Sequence, residues 1–377
     1  MLNRVFVLGA GFSKAAGLPL ATELTDEVLR DIRERVGDEY GLIQFAGHIA
    51  ELHGWLGRSG AMRALNIEEF YNYATVYEER LMMDQHRATV GRFAGETPFA
   101  QARDIRTWLQ QMDKSLIRVV VEYEQSASPD AVSRFVGQLR PNDVVITFNY
   151  DRLLERCLAL DGVSWFYGLS ASRAQTTSIL KMHGSIDWIC LARDQNPAQH
   201  GLQRLFSKSD VNLERRGVAL KRTGEPEYDY ELYLVPSDDR LRNLVKKRGM
   251  IKFDHQWGLA GLGPLKRPSV VPGLGLVWEH ARRALFDADL IVVVGFSFSG
   301  YDRLAQIEFA RVMAGRDEHG KPPPSVIVID PALRSATGRP SAQGTALIER
   351  IEAVFRPVMP VGMTHEEFDW CSLDKTP

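Results

Sequence analysis

Residues 4–13 of the chain read RVFVLGAGFS, and this stretch decides the fold. Its first half, RVFVL, is a short apolar and β-branched run, which is typical of a buried parallel strand. Gly-Ala-Gly follows at once, and glycine allows both a tight turn and a close approach of the backbone to a ligand. We therefore expect a strand over 4–8 that ends at a ligand-binding edge of a sheet.

The turn after this strand matches only part of the dinucleotide-binding fingerprint G-x-G-x-x-G. Its glycines and the short helix after them would let backbone N–H groups stabilise a pyrophosphate. However, Lys14 replaces the third glycine, and no acidic residue closes a second strand at the expected distance. The dehydrogenase interpretation is therefore disfavoured, and the phosphate-binding candidates are Gly9, Ala10, Gly11, Phe12 and Ser13.

Further strand-like runs follow along the chain, at 144–148, 179–182, 290–294 and 325–329. Before them, residues 24–139 carry apolar side chains at helical spacing, over a length much greater than one crossover helix. These patterns predict an α/β fold with a Rossmann-like, mostly parallel sheet formed by residues 1–23 and 140–377. The block 24–139 is then a large helical insertion.

The sequence predicts two helix N-termini in this helical block. Asn66 and Glu69 resemble a capping box, in which each residue bonds the backbone near the other. Ser128-Pro129-Asp130 resembles a helix start with Ser128 as the cap and Pro129 in the first turn.

Residues 191–270 give a mixed pattern, in which 231–235 is the one convincing strand, and we interpret them as a second insertion. A basic stretch lies there, formed by Arg240, Arg242, Lys246, Lys247, Arg248 and Lys252. A solvated surface is the preferred interpretation, because acidic residues are interspersed and no aromatic residues suggest stacking. Contact with a partner or a nucleic acid is the alternative.

The composition excludes several classes of protein. The 377 residues carry 46 Lys and Arg against 48 Asp and Glu, a formal net charge of -2, so no global field attracts nucleic acid or an anionic membrane. No apolar run is long enough for a membrane span, and we expect a cytoplasmic protein. The three cysteines, Cys157, Cys190 and Cys371, cannot form a disulfide framework or a Cys-x-x-Cys site, so we expect buried thiols and no metal.

Polar side chains follow the run at 144–148, where the sequence reads TFNYD. Asn149 and Asp151 would stand at the carboxyl end of a parallel strand, the place where doubly wound sheets bind ligands, and Thr147 is counted with the ligand-binding candidates. A helix cap is the structural alternative. It accounts for one of the two polar residues more easily than for both.

His183 leaves the run at 179–182 beside Gly184. An imidazole can accept or donate a proton near neutral pH, which suits a general base or a group that polarises a ribose hydroxyl. For an isolated histidine in this position, a hydrogen-bonded core residue is the preferred interpretation.

Two more strand ends carry candidates. Gly295 and Ser297 follow the run at 290–294, where glycine permits close approach to a nucleotide and the hydroxyl can bind phosphate or ribose, and Asp302 opens the next helix. Asp330 ends the run at 325–329, where its carboxylate could accept bonds from ribose hydroxyls. Ordinary strand-to-helix turns are the alternative for all of them.

Taken together and in this order, the motifs resemble those of the sirtuin-like fold family. GAGFSKAAGLP is similar to its GAGxSxxxGIP phosphate loop, TFNYD to its TQNxD motif, KMHGS to its His-Gly motif, and GFS to its GxS loop. The resemblance covers most of the chain and leaves 24–139 and 191–270 as insertions.

This resemblance implies NAD as the substrate and assigns a role to each candidate. Residues of the first turn, Gly9, Ala10, Gly11 and Ser13, would line the phosphate and nicotinamide-ribose side. Asn149 and Asp151 would position the ribose or a water molecule, and His183 would act on the ribose hydroxyls. The adenosine half would be held by Gly295, Ser297 and Asp330.

The departures from the family pattern point to a particular branch. Deacylating sirtuins carry a zinc ribbon of four cysteines, which this chain cannot build, and Leu20-Ala21-Thr22 replaces the Phe-Arg that follows their phosphate loop. TFNYD, HGSIDW and GFSFSGYD together resemble the bacterial sirtuin-like NADases of anti-phage defence. That likeness implies NAD+ hydrolysis to nicotinamide and ADP-ribose, a homo-oligomer, and a partner such as a HerA-type ATPase or an Argonaute-like protein.

Two other functions remain as alternatives. One is NAD-dependent deacylation or ADP-ribosyl transfer, which needs an open groove for a protein substrate. The other is a module that senses NAD or ADP-ribose and regulates a partner without turnover.

Overall fold

The structure, a computed structural model, describes residues 2–35, 66–72, 102–169, 176–192, 202–204, 230–246, 255–259, 271, 273–300, 302–334 and 341–375. Most of the predicted insertion 191–270 lies outside these ranges. So do the side chains of Lys246, Lys247, Arg248 and Lys252, and the predicted continuation of the helix that starts at Asn66.

Eleven strands lie in the described ranges. They are β1 (Arg4–Leu8), β2 (Val144–Thr147), β3 (Trp165–Tyr167), β4 (Thr177–Lys181), β5 (Gly184–Ala192), β6 (Gln203–Arg204), β7 (Tyr230–Leu234), β8 (His255–Leu259), β9 (Leu290–Val294), β10 (Ser325–Ile329) and β11 (Val358–Val361). Three predicted strands, β1, β9 and β10, have the expected bounds. The other predicted runs shift by one or two residues.

Nine α-helices accompany them in the same ranges. They are α1 (Ala10–Lys14), α2 (Ala21–Arg35), α3 (Ala102–Ser126), α4 (Asp130–Val136), α5 (Leu153–Leu160), α6 (Asp238–Lys246), α7 (Leu274–Asp287), α8 (Arg303–Glu318) and α9 (Ala342–Glu352), with a further helical segment at 67–72. None of the described helices is long and apolar enough to cross a membrane.

The main sheet has seven strands in the order β11-β10-β9-β1-β2-β4-β3, and every neighbouring pair is parallel. The predicted Rossmann-like α/β fold is therefore confirmed. The chain leaves β1 toward β2 on one side, and the later strands β9 to β11 extend the sheet on the other side. β1 thus lies at a topological switch point, where open α/β sheets bind ligands beyond the carboxyl ends of their strands.

A second, antiparallel sheet has the order β6-β7-β5-β8. Its strand β5 directly follows His183, and its strand β7 corresponds to the predicted strand at 231–235. Nearly all side chains of β5 are buried, so its sequence lacks a clear alternation of polar and apolar residues. The sequence therefore did not predict this strand.

The helical block and the parallel sheet share one hydrophobic core. Phe6 and Leu8 of β1 belong to one buried cluster. The same cluster contains Val28 of α2, Phe70 of the segment 67–72 and Leu116 of α3. The ring of Phe6 also meets Phe135 of α4 edge to face, with centroids 5.2 Å apart. The division of the chain into a sheet domain and an insertion over 24–139 stays a prediction.

The two predicted helix starts have different outcomes. The Asn66 N–H donates to Glu69 Oε2 at 3.1 Å, and the Glu68 N–H donates to Asn66 Oδ1 at 2.8 Å, so the capping box is present. Ser128, in contrast, does not cap α4. The helix begins at Asp130, so Pro129 takes the cap position, and the Ser128 N–H donates to the carbonyl of Ala16 at 3.1 Å.

Candidate active site

The carboxyl ends of β1, β2 and β4 continue their pairing beyond the strands. The Phe148 N–H donates to the carbonyl of Leu8 at 3.0 Å, and the Met182 N–H donates to the carbonyl of Thr147 at 2.9 Å. The next residues along the chain, Asn149 and His183, therefore emerge side by side at the switch-point edge. Two of the predicted site residues are brought together in this way by the register of the sheet.

The side-chain amide of Asn149 is held by the turn after β1. Its Nδ2 donates to the carbonyl of Gly9 and to Ser13 Oγ, both at 2.9 Å. A carbonyl oxygen can only accept, so the group facing Gly9 must be the amide nitrogen. Both amide hydrogens are thus used, and Oδ1 is left as an acceptor that no described residue occupies.

Ser13 and Asp151 lie behind Asn149 and are buried. Ser13 Oγ donates to Asp151 Oδ2 at 2.7 Å, and the other carboxylate oxygen accepts from the N–H of Leu153, the first residue of α5, at 3.1 Å. Burial raises the pKa of Asp151, while Lys181 and the Ser13 hydroxyl act in the opposite direction. These two predicted residues therefore support Asn149 instead of facing the edge themselves.

His183 is 3% exposed and has a partner at each ring nitrogen. Nδ1 lies 3.1 Å from the carbonyl of Phe148, and Nε2 lies 3.3 Å from Asp302 Oδ1. The ring also meets Phe148 edge to face, and Tyr150 lies 5.7 Å away between centroids. The expected histidine is at the site, but both its nitrogens are engaged within the protein.

Asp302 comes from the opposite side of the switch point, where it precedes α8. Its Oδ2 accepts from Ser299 Oγ at 2.9 Å, and it is 8% exposed. The loop that carries it is fixed by stacking of Phe296 on Phe148, with centroids 4.0 Å apart. The loop from β9 thus closes on the end of β2, and it brings a carboxylate to the histidine.

The glycines of the two turns lie against each other. The Gly9 N–H donates to the carbonyl of Val294, and the Gly11 N–H donates to the carbonyl of Gly295, both at 3.0 Å. A Cβ on Gly295 would stand 2.5 Å from the Gly11 carbonyl carbon, and the residue also has a φ of 57°. The close approach made possible by these glycines is therefore between two backbone turns.

The remaining candidates take mainly structural places. Phe12 is buried at 1% exposure and packs its ring on Phe135 and His365, while Thr147 Oγ1 accepts from the Asn149 N–H at 3.2 Å. Ala10 is exposed at the start of α1. The structure therefore brings Ala10 to the surface of this edge, and it directs the Phe12 side chain into the core.

Ser297 and Asp330 lie farther along the sheet edge. The carbonyl of Ser297 accepts from Arg350 Nε at 2.8 Å. Asp330 ends β10, two strands from β1, and its side chain accepts from the Ala332 N–H at 2.8 Å to cap a short 3₁₀ helix, Pro331–Leu333. Burial raises the pKa of Asp330, and this hydrogen bond partly offsets the effect.

A buried lysine beneath the site was not expected from the sequence. Lys181, at the end of β4, is 1% exposed and donates to the carbonyl of Asp151 at 2.5 Å and to Glu155 Oε1 at 2.9 Å. Tyr167 adds a hydrogen bond to the same glutamate at 3.2 Å. A charged residue in an apolar strand pattern was the available signal, because a buried lysine needs such partners.

Tyrosines and acids from the helical block also reach the site. Burial raises the pKa of Tyr150, and the nearby carboxylates of Glu68, Asp302 and Asp113 raise it further. The Tyr150 hydroxyl is buried and has no hydrogen-bond partner among the described residues. Tyr71 donates to Asp113 Oδ1 at 2.6 Å. No sequence spacing links 67–72 or α3 to TFNYD, so only the fold reveals this neighbourhood.

The cysteines are separate from this site. Cys157 and Cys190 are buried as expected, whereas Cys371 is exposed, which corrects the prediction of three buried thiols. Cys371 lies in the short helix Trp370–Lys375 at the surface. No group of three or more His, Cys, Asp or Glu residues placed to hold a metal occurs in the described part of the chain.

The fold and site together define an α/β protein with a cluster of polar side chains at the switch point of a parallel sheet. No protein-family model matches the chain, and no curated protein matches it. Among solved structures, one match is a crystal structure of Sir2 in complex with the inhibitor EX-527, 2'-O-acetyl-ADP-ribose and a deacetylated p53 peptide. The identity is 11% and the TM-score is 0.33, over 99% of this chain and 93% of that one. The assignment of the fold therefore depends on the sheet itself.

Proposed function

We propose that this chain is an NAD+ glycohydrolase, which cleaves the bond between nicotinamide and ribose and releases ADP-ribose. The observation that carries the proposal is the adjacent placement of Asn149 and His183, which follow the neighbouring strands β2 and β4 at the switch-point edge, beside the turn that follows β1. The four ordered motifs that resemble those of sirtuin-like proteins support NAD as the substrate. The placement of all four at strand ends of one parallel sheet agrees with that resemblance.

Asn149 is suited to orient the group that attacks the ribose. Its Nδ2 is held by Gly9 and Ser13, so the free acceptor is Oδ1. An acceptor fixed in this way can bind a hydrogen of a water molecule or of a ribose hydroxyl and direct its oxygen toward the anomeric carbon. Such positioning accounts for a large part of the rate in many enzymes.

The reaction then needs little covalent participation by the protein. The C–N bond breaks, nicotinamide leaves with the bonding electron pair, and the ribose develops oxocarbenium character. Water adds to the anomeric carbon and loses one proton, so that NAD+ and water yield nicotinamide, ADP-ribose and H+. His183 would polarise a ribose hydroxyl through its charge, since both ring nitrogens already have partners, and the Asp302 carboxylate would stabilise the positive charge that develops.

The remaining ligand-binding candidates fall into two groups in this proposal. Ala10 is the exposed residue of the first turn that would face the pyrophosphate, whereas the Gly11 N–H is bonded to Gly295, and Ser297 would lie on the adenosine side with Asp330. Ser13, Asp151 and Thr147 position Asn149 from behind. This division follows from the hydrogen bonds, because Ser13 and Thr147 bond Asn149 directly and Asp151 bonds Ser13.

Hydrolysis is preferred to protein deacylation for a compositional reason. The chain has three cysteines, and a ribbon that binds zinc through four cysteines cannot be built from them. The role in anti-phage defence, the homo-oligomer and the HerA-type or other partner are proposed from the motif resemblance alone.

The test is to incubate the purified chain with NAD+ and to separate nicotinamide from ADP-ribose by chromatography. We expect release by the wild type and a loss of at least about 100-fold in His183→Ala and Asn149→Ala. The matched control is His319→Ala, which removes an exposed histidine at the end of α8 and should retain activity.

Two results would redirect the proposal. A chain that binds NAD+ without releasing nicotinamide would favour the sensing module. Label transferred from NAD+ to a protein, or an acyl group removed from a peptide, would favour the transferase or deacylase alternative. Circular dichroism of each variant separates a damaged site from a damaged fold.

A further inference from the structure

The carboxylate of Asp302 is paired with His183 and does not face the sheet edge as a ligand-binding group. From the sequence, Asp302 is a ligand-binding candidate. In the structure its Oδ1 lies 3.3 Å from His183 Nε2, and its Oδ2 is taken by Ser299 Oγ. Both side chains are at least nine-tenths buried.

The partner of the other nitrogen decides where hydrogens can lie on the ring. Nδ1 faces the carbonyl of Phe148 at 3.1 Å, and a carbonyl can only accept, so Nδ1 carries a hydrogen. In a neutral imidazole, Nε2 would then present a lone pair to the Asp302 carboxylate. Two acceptors at this distance repel each other unless a proton lies between them.

We infer that Asp302 is a positioning residue that holds His183 with a proton on each ring nitrogen, so that the two side chains act as one proton-sharing pair. The inference rests on the proposed function for its role in the reaction, although the pairing itself does not. A lone imidazole would be a general base. The pair instead places a positive and a negative charge in contact at the sheet edge, and neither group loses its proton independently of the other.

The surroundings of the pair are consistent with this arrangement. Phe148 and Tyr150 cover the imidazole ring, and the acidic groups facing Tyr150 are Glu68, Asp113 and Asp302 itself. Of these, Asp302 lies beside the imidazole, and an adjacent carboxylate favours its charged form. The Asp302 side chain is fixed from the β9 side by Ser299, so the pair joins the two halves of the sheet across β1.

The test measures the protonation state of each ring nitrogen of His183 by NMR. The chain is labelled with ¹⁵N-histidine, and the imidazole nitrogen shifts of His183 are recorded at pH 7, with the signal assigned from its loss in His183→Gln. We expect the wild type to show hydrogens on both nitrogens. Asp302→Asn should show a hydrogen on Nδ1 only, because a carboxamide can donate to Nε2 and removes the negative charge.

A matched variant controls for the change of charge. Asp317→Asn makes the same substitution in the last turns of α8, at an exposed position, and should leave the His183 spectrum as in the wild type. In the NAD+ assay, Asp302→Asn should lower kcat about 100-fold and change KM by less than about threefold, as expected for a group that acts through another.

The outcomes separate this inference from the proposed function. A wild-type His183 with a hydrogen on one nitrogen only would overturn the pair, and so would a spectrum that Asp302→Asn does not change. The wild-type measurement decides the question even if that variant does not fold. If no nicotinamide is released, the glycohydrolase proposal fails, and the nitrogen spectra still decide whether the pair exists.

Discussion

At the scale of single residues, the site depends on which hydrogen-bonding groups are already used. Asn149 donates both amide hydrogens, to the carbonyl of Gly9 and to Ser13 Oγ, so its carbonyl oxygen is the group left for a ligand. His183 has both nitrogens engaged, so its partner Asp302 becomes part of its chemistry. The identity of a polar residue thus says less about its role than the partners it has in the fold.

Asp113 gives a prediction about pH at this scale. Burial raises its pKa to about 6, and the hydrogen bond from Tyr71 only partly offsets the effect. A carboxyl whose pKa is higher in the folded state stabilises the fold when protonated, and that contribution is lost as the pH rises from about 4 to about 6. Asp113→Asn keeps the acceptor for Tyr71 and removes the titration.

The measurement is the free energy of unfolding by urea at pH 4, 5, 6 and 7 for both chains. We expect the wild type to lose of the order of 2 kcal/mol relative to Asp113→Asn between pH 4 and 6, a value below the full effect because the residue is partly exposed. Parallel curves for the two chains would contradict the prediction.

At the scale of elements, the turns after β1 and β9 work as a pair. Their glycines place two backbones in direct contact, which aligns the loop of Asp302 with the end of β2. Gly295 has a φ of 57°, and a Cβ there would stand 2.5 Å from backbone atoms of Gly11 and Phe12. Neither backbone can move without disturbing a strand of the central sheet.

Gly295→Ala should therefore lower the free energy of unfolding by about 2 to 5 kcal/mol, from strain at positive φ together with overpacking. The matched control is Gly315→Ala within α8, where an added Cβ meets nothing within 4 Å. That substitution should stabilise the protein by about 0.5 to 1 kcal/mol. Equal effects of the two substitutions in urea unfolding would refute the proposed contact.

At the scale of the whole molecule, the helical block and the parallel sheet share a core. Leu116 of α3 is fully buried in the same cluster as Phe6 and Leu8 of β1. The block also brings Tyr71 and Asp113 to the neighbourhood of Tyr150. We therefore expect the parts of the chain that the sequence separates into sheet and insertion to depend on each other for stability.

Leu116→Ala tests this dependence from a distance. A truncation in a fully buried position costs about 2 to 5 kcal/mol, and with a shared core the amide protons of β1 should lose that amount of protection against hydrogen exchange. The exposed Ile307→Ala should change protection by less than about 0.5 kcal/mol. Unchanged exchange in β1 would instead mean that the helical block unfolds by itself.

Local patterns determined much of this protein. Strands such as β1, β9 and β10 each contain at least four consecutive apolar residues, since parallel strands buried on both faces favour apolar side chains at nearly every position. The same patterns placed Asn149, His183 and Asp302 at strand or loop ends, because polar residues that follow buried runs stand at the edge of the sheet. The capping box at Asn66 and Glu69 was likewise visible, because its bonds span only three residues.

Only the tertiary structure decided how these residues act on one another. The strand order places β1 between β2 and β9, and that order brings Asp302 to His183 and Ser13 to Asn149 across more than a hundred residues of chain. It also buries Lys181 and directs Phe12 into the core. Hydrogen bonds and burial depend on distances in space, and a sequence records only distances along the chain.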